Sequence, residues 1–163
     1  MKIVAINGSG TGNIGATGQT LQGVIEGALE SGAEVETFIL TDMTINHCKG
    51  CKTCAKTGQC VIKDDYTKIK DAMLTADGVI FASPNYIRNV SSLTKALLDR
   101  SFSVLFHCQA MAGKYGAVVI ASAGPQYQPV VDYLVAEGLY RRDPQGVRRG
   151  GHGRWLQPLA GFL

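Results

Sequence analysis

Runs of apolar residues that stop abruptly at loop-forming residues recur along the chain, and they constrain its fold more than any other feature. Lys2-Ile3-Val4-Ala5-Ile6 stops at Asn7-Gly8, Val79-Ile80-Phe81-Ala82 at Ser83-Pro84-Asn85, and Ala117-Val118-Val119-Ile120-Ala121 at Ser122, with Gly124 and Pro125 just beyond. Such short, mainly apolar runs predict strands, the first of them buried. Val35 to Leu40 reads as a further strand. Between the strands the apolar period changes to that of a helix. Leu21, Val24, Ile25, Ala28 and Leu29 mark one helix from Thr20, with Gly32 as its stop. Tyr66, Ile69 and Met73 mark a second, capped by Asp64 and ending near Asp77-Gly78; Leu93, Ala96, Leu97 and Phe102 mark a third, capped by Ser91. A fourth spans about Val130 to Glu137. This alternation predicts an α/β fold, a doubly wound parallel sheet of strand order 2-1-3-4-5, with right-handed crossovers and the first strand central.

A fifth strand is due after the last helix, yet residues 139–163 offer no clear apolar run and are dense in Arg and Gly. That tail holds five of the sixteen basic residues and one of the thirteen acidic ones, so residues 1–138 carry eleven positive charges against twelve negative. A body so balanced lacks the clustered cations of a nucleic-acid interface. The N-terminus has no signal-peptide pattern, and no run has the apolar length of a membrane span. The expectation is one domain over residues 1–163, cytoplasmic, with no nucleic-acid or membrane partner.

In parallel sheets ligands sit beyond the carboxyl ends of the strands. The first of these loops, residues 8–20, reads Gly-Ser-Gly-Thr-Gly-Asn-Ile-Gly-Ala-Thr-Gly-Gln-Thr, rich in small and hydroxyl side chains and without Lys or Arg. Glycines let backbone N–H groups converge on an anion, and the following helix N-terminus adds partial positive charge. Phosphate is the anion this loop suits; the plainer alternative is a surface loop. Gly10, Gly12 and Gly15 also match a dinucleotide-binding spacing, but Asp42 is only a loose candidate for the acidic ribose partner, and the lysine of an ATPase loop is absent. After the third strand, Ser83, Pro84, Asn85 and Tyr86 offer backbone amides and a flat face on which a flavin ring would rest; the alternative is an ordinary turn. Ala123 and Gly124 form a weaker candidate contact after the fourth strand.

Residues 44–62 form a cysteine-rich insertion after the second strand, with no helical or strand period from Ile45 to Cys60. Cys48, Cys51, Cys54 and Cys60 follow the spacing C-x2-C-x2-C-x5-C. Thiolates so close suit an iron–sulfur cluster, for which [4Fe-4S] is the expectation, or zinc, or they remain unligated. Val61 stands where a two-cluster ferredoxin run has proline. Asp64-Asp65 reads as a helix cap rather than a carboxylate pair, Cys108 as a buried apolar residue beside His107, which has no partner visible in the sequence; His47 precedes Cys48 within reach of a metal there, though a flanking position alone is a poor warrant.

With these motifs in hand, the chain resembles the iron–sulfur flavoproteins, within the NADPH-dependent FMN reductases of flavodoxin-like fold. The resemblance is carried by Ile6-Asn7-Gly8-Ser9, His47 through Cys54, Gly58 through Asp65, Ser83-Pro84-Asn85-Tyr86 and Lys95 through Arg100. It implies FMN, its phosphate on Ser9 and Gly18-Gln19-Thr20, with Thr11, Asn13 and Thr17 as further candidates because the first loop is longer than the family's. It also implies flavin contacts from Ser83 through Tyr86, a [4Fe-4S] cluster on the four cysteines, and a homodimer or homotetramer. The activity it implies is electron transfer through FMN and cluster, with NAD(P)H or ferredoxin as donor and cofactor-borne chemistry that needs no catalytic side chain. Two rivals are a cluster-free flavin or quinone reductase and a zinc-stabilised, non-catalytic interaction domain.

Overall fold

In the computed structural model, which describes residues 1–101 and 110–135, four parallel strands form one sheet. They are β1 (Lys2–Asn7), β2 (Glu34–Ile39), β3 (Gly78–Pro84) and β4 (Tyr115–Ala121), in the order β2-β1-β3-β4. The helices are α1 (Ala16–Glu30), α2 (Thr53–Thr57), α3 (Tyr66–Thr75), α4 (Ser92–Ser101) and α5 (Gln128–Tyr133). This is the flavodoxin-like arrangement. The chain leaves β1 toward β2 on one side and later returns to place β3 on the other, so the strand order reverses between β1 and β3. Ligands of such sheets bind beyond that switch point.

Alternate residues of each strand enter separate cores, as the two-residue period of a strand requires. Ile3, Ala5, Ile80, Ala82 and Val119 pack with Leu21 and Ile25 of α1 on one face. Val4, Ile6, Val79 and Phe81 pack on the other with Ile69 and Met73 of α3, Leu97 and Leu98 of α4, and Val130 of α5. Every residue of β3 is buried, whereas β2, at the sheet edge, is half-exposed.

The elements depart from the sequence expectations at several boundaries. α1 begins at Ala16 rather than Thr20. Its first turn is made of small residues and carries no apolar period to announce it. Its end is as expected: Gly32 turns left-handed at φ +80, and its N–H reaches the Leu29 carbonyl while that of Ala33 reaches Ala28. β3 runs on through Ser83 and Pro84, because Ser83 and Pro84 stay in register with Ile120 and Ala121 of β4. The cysteine segment contains the short helix α2, flanked by left-handed Lys52 and Gly58. Ser91 caps α4 as expected, its hydroxyl accepting the Thr94 N–H at 3.1 Å.

Asp64 needs a larger correction. It accepts the Tyr66 N–H at 3.2 Å, as a cap would, but its main partner is the buried side chain of Arg100, with Nη1 to Oδ2 at 2.7 Å and Nη2 to Oδ1 at 3.0 Å. The fifth strand, the 139–163 tail, Phe102, His107, Cys108 and Glu137 lie outside the described residues. Among the described residues no helix is long and apolar enough to cross a membrane.

Candidate functional site

Beyond β1, the side chain of Asn7 organises the first loop. Its Nδ2 donates to the Gly12 carbonyl at 3.1 Å and to Asn13 Oδ1 at 2.9 Å, while its Oδ1 accepts the Ser9 N–H at 2.9 Å. The Ser9 and Thr11 hydroxyls lie 2.9 Å apart, and the Thr11 N–H reaches Ser9 Oγ at 3.3 Å. Both hydroxyls face Gly15, the residue before α1, whose imagined Cβ would lie 2.0 Å from Thr11 Oγ1 and 3.7 Å from Ser9 Oγ. Gly18, one turn on, permits the loop to lie against the helix: a Cβ there would stand 2.4 Å from the Gly12 carbonyl oxygen.

The N-terminus of α1 has no side-chain cap and no acidic residue in its first turn, and Thr17 and Gly18 are buried. The first N–H groups of a helix have no partner within it. A buried, uncapped helix end beside two hydroxyls is a neutral cradle fit for an anion. Gln19 and Thr20 are exposed and turned onto the backbone, Gln19 Nε2 donating to Ile14 O at 3.0 Å and Thr20 Oγ1 to Ala16 O at 2.8 Å.

Hydrogen bonds stitch this loop to the ends of β3 and β4. The Gly8 N–H reaches the Ala82 carbonyl at 2.8 Å, and the Ser83 hydroxyl accepts the Ser91 N–H at 3.0 Å. Ser83 and Pro84 are buried behind the rim. Asn85 spans to the fourth loop, its N–H on Ala121 O at 2.8 Å and its Nδ2 on Ser122 Oγ and Gln126 O, both at 2.9 Å. Its Oδ1 is buried without a partner, an acceptor left for a donor from outside the chain. Tyr86 stands 54% exposed beside it. Tyr86 and Asn89 exchange backbone hydrogen bonds across Ile87 and Arg88, both left-handed, and Arg88 Nε donates to Gln126 Oε1 at 2.7 Å. Ala123 and Gly124 are exposed, in a loop whose Ser122 hydroxyl donates to the Gly124 carbonyl at 2.8 Å.

The donors and acceptors at both ends therefore suit a phosphate joined to a flat heterocycle. In the sequence Asn7 reads only as a strand end within the Ile6-Asn7-Gly8-Ser9 motif and Gln126 as an ordinary loop residue, because the partners of an amide carry no period.

Cys48 and Cys51 are exposed, and Cys54 and Cys60 half-buried, all four as free thiols. The N–H and hydroxyl of Thr53 hold the Cys51 thiol below its ordinary pKa. Among the described residues no group of three or more His, Cys, Asp or Glu side chains is gathered closely enough to hold a metal ion. The structure thus places the four thiols on one segment without drawing them into one ligand set. Four soft thiols remain the right donor chemistry for an iron–sulfur centre.

At the base of this segment burial opposes the Asp64 charge, but the hydrogen bonds of Arg100 and Asn46 and the guanidinium charge outweigh it and hold the carboxyl down at about 2. Burial pushes the neighbouring Tyr66 hydroxyl up to about 12.

The sequence profile of the family described as NADPH-dependent FMN reductase matches residues 1–136. The chain belongs to that family. It is 36% identical over 124 residues to an iron–sulfur flavoprotein of Archaeoglobus fulgidus, covering 76% of this chain and 56% of the relative. To one from Methanocaldococcus jannaschii it is 35% identical over 123 residues, covering 76% and 63%. The chain thus spans less than two thirds of the length of either relative. Among solved structures it superposes on an apo NADH:FMN oxidoreductase with a TM-score of 0.61 at 24% identity, covering 85% of this chain and 67% of that one. On an azoreductase from Bacillus anthracis the TM-score is 0.65 at 13% identity, covering 84% and 79%. These likenesses establish the fold of this NADPH-dependent FMN reductase family member.

Proposed function

We propose that this chain is a single FMN-binding unit of an oxidoreductase, with Cys48, Cys51, Cys54 and Cys60 ligating a [4Fe-4S] cluster. When bound, the two groups supply two-electron and one-electron transfer respectively, and the chemistry is theirs rather than that of any side chain. The chain's residues bind and orient. The Thr17 and Gly18 N–H groups and the Ser9 and Thr11 hydroxyls receive the phosphate, flanked by Gln19 and Thr20. Asn85 Oδ1 accepts from the ring, Tyr86 lends it a flat face, and Ser83 and Pro84 support both from behind. Ala123 and Gly124 border the open side.

The observation that carries this reading is the uncapped, buried N-terminus of α1 beside two hydroxyls, on a loop free of carboxylates. The names of the similar proteins support the flavin and, more narrowly, the cluster. The donor is NAD(P)H or a ferredoxin and the assembly a homodimer or homotetramer, operating in the cytoplasm.

One anaerobic preparation tests the whole reading. It should be yellow-brown, release one FMN per chain on denaturation, and contain four iron and four acid-labile sulfide per chain. Folded protein that stays colourless and refuses added FMN refutes the flavin; FMN without iron refutes the cluster alone. That second outcome leaves a cluster-free flavin or quinone reductase.

A further inference from the structure

Among the described residues Arg100 is the largest fully buried side chain, an unusual position for a cation. A guanidinium carries five N–H donors. Nη1 donates to Asn46 O at 2.9 Å and Asp64 Oδ2 at 2.7 Å, and Nη2 to Ile62 O at 3.3 Å and Asp64 Oδ1 at 3.0 Å. The face of the guanidinium lies over the Tyr66 ring, 4.5 Å from its centroid. Four donors are thus satisfied. The fifth, on Nε, is buried and has no partner.

Asn46 and Ile62 flank the cysteine segment on either side, so one side chain of α4 grips both ends of the loop that carries the four thiols. Cys60 packs against the same buried cluster as Tyr66, the ring that the guanidinium covers. A buried donor without an acceptor, next to a sulfur that becomes anionic on ligating a metal, is an incomplete hydrogen bond awaiting its partner.

We propose that Arg100 is the positioning residue of the cysteine segment: it fixes the two ends of the loop, and its unpartnered Nε–H donates to the Cys60 sulfur when the four cysteines hold an iron–sulfur cluster. This rests on the cluster reading above. Hydrogen bonds to cluster sulfurs and nearby positive charge favour the more negative, reduced state and so raise the reduction potential. Asp64, bound to the opposite nitrogens, works against that effect.

The test compares anaerobically prepared wild type with Arg100→Gln, Arg100→Lys and Asp64→Asn, each checked for folding by circular dichroism and for FMN content. The readouts are iron and sulfide per FMN and the midpoint potential of the cluster. Arg100→Gln should lose at least half of its iron and sulfide and shift the potential of the remainder downward. Arg100→Lys, which keeps the charge but lacks Nε–H and the fork, should retain more iron yet shift in the same direction. Asp64→Asn should shift the potential upward, a difference of sign that a purely structural ion pair would not produce. Folded, flavin-bound Arg100 variants with wild-type iron content and potential overturn the proposal. So does failure of both Arg100 variants to fold, since Arg100 would then serve the fold alone. A wild-type protein with FMN but no iron instead removes the cluster reading on which the proposal stands.

Discussion

The Ser91 hydroxyl donates to the Gly8 carbonyl oxygen across 2.6 Å, linking residues 83 positions apart in the chain. Ser91 Oγ also accepts the Thr94 N–H, so one hydroxyl both starts α4 and fixes the root of the phosphate loop. Ser91→Ala should therefore cost about 1–2 kcal/mol of stability, within the range of a lost helix cap, and weaken FMN binding as well. Urea denaturation and FMN titration measure the two effects, and a variant with both unchanged contradicts the assignment.

Gly18 and Gly23 lie on the same helix in opposite circumstances. A Cβ at Gly18 would collide with the Gly12 carbonyl and the Asn13 backbone, whereas one at Gly23 would meet nothing within 4 Å. Gly18→Ala should raise the dissociation constant of FMN at least tenfold, about 1.4 kcal/mol. Gly23→Ala should leave FMN binding intact and stabilise the protein by about 0.5–1 kcal/mol through the helix propensity of alanine. Equal behaviour of the two variants would argue against close packing of the loop on α1.

Asp64 gives the protein an acid limb. Its carboxyl falls from an ordinary 3.8 to about 2 on folding, so its contribution is complete above the ordinary value and is lost as pH drops through the folded one. That contribution is about 2 kcal/mol, since the pair is almost wholly buried. Asp64→Asn should therefore be much less stable than wild type at pH 6, with the gap closing between pH 4 and pH 2. Denaturation curves across that range decide the matter; a gap that stays constant with pH would reject it.

Ile87 holds φ +51 at the tip of the turn after β3, a conformation costly for a β-branched residue. Its side chain is 99% exposed and contributes no packing to offset that cost. Ile87→Asn should raise stability by about 1 kcal/mol, since asparagine tolerates the left-handed region. A lower thermal midpoint for this variant would show that the turn is not strained at this residue.

Features that depend on neighbours in sequence were legible before the fold was known. The apolar runs of β1, β3 and β4 gave the sheet, Leu21 and Ile25 gave the buried face of α1, and Ser91 gave a true cap. Features that depend on tertiary neighbours were not. Asp64 before an apolar period reads as a cap, and nothing local reveals that a charged residue 36 positions away is buried against it. The start of α1 was hidden by residues too small to display a period, and α2 by its brevity. At the site, the glycines and hydroxyls of the first loop were visible as composition, but the ordering role of Asn7 and the span of Asn85 to Gln126 exist only once three loops meet.

The stem formed by Asn46, Ile62 and Arg100 also bears on how such a protein diversifies. An excursion pinned at its neck is mechanically insulated from the body it leaves. Residues 47–59 can accordingly lengthen, shorten or be exchanged for a foreign segment without disturbing strand order, so long as α4 keeps its arginine, position 60 its core-packed thiol and position 64 its carboxylate. Selection can then work on the metal-binding chemistry and on the flavin cradle as two separately inherited parts.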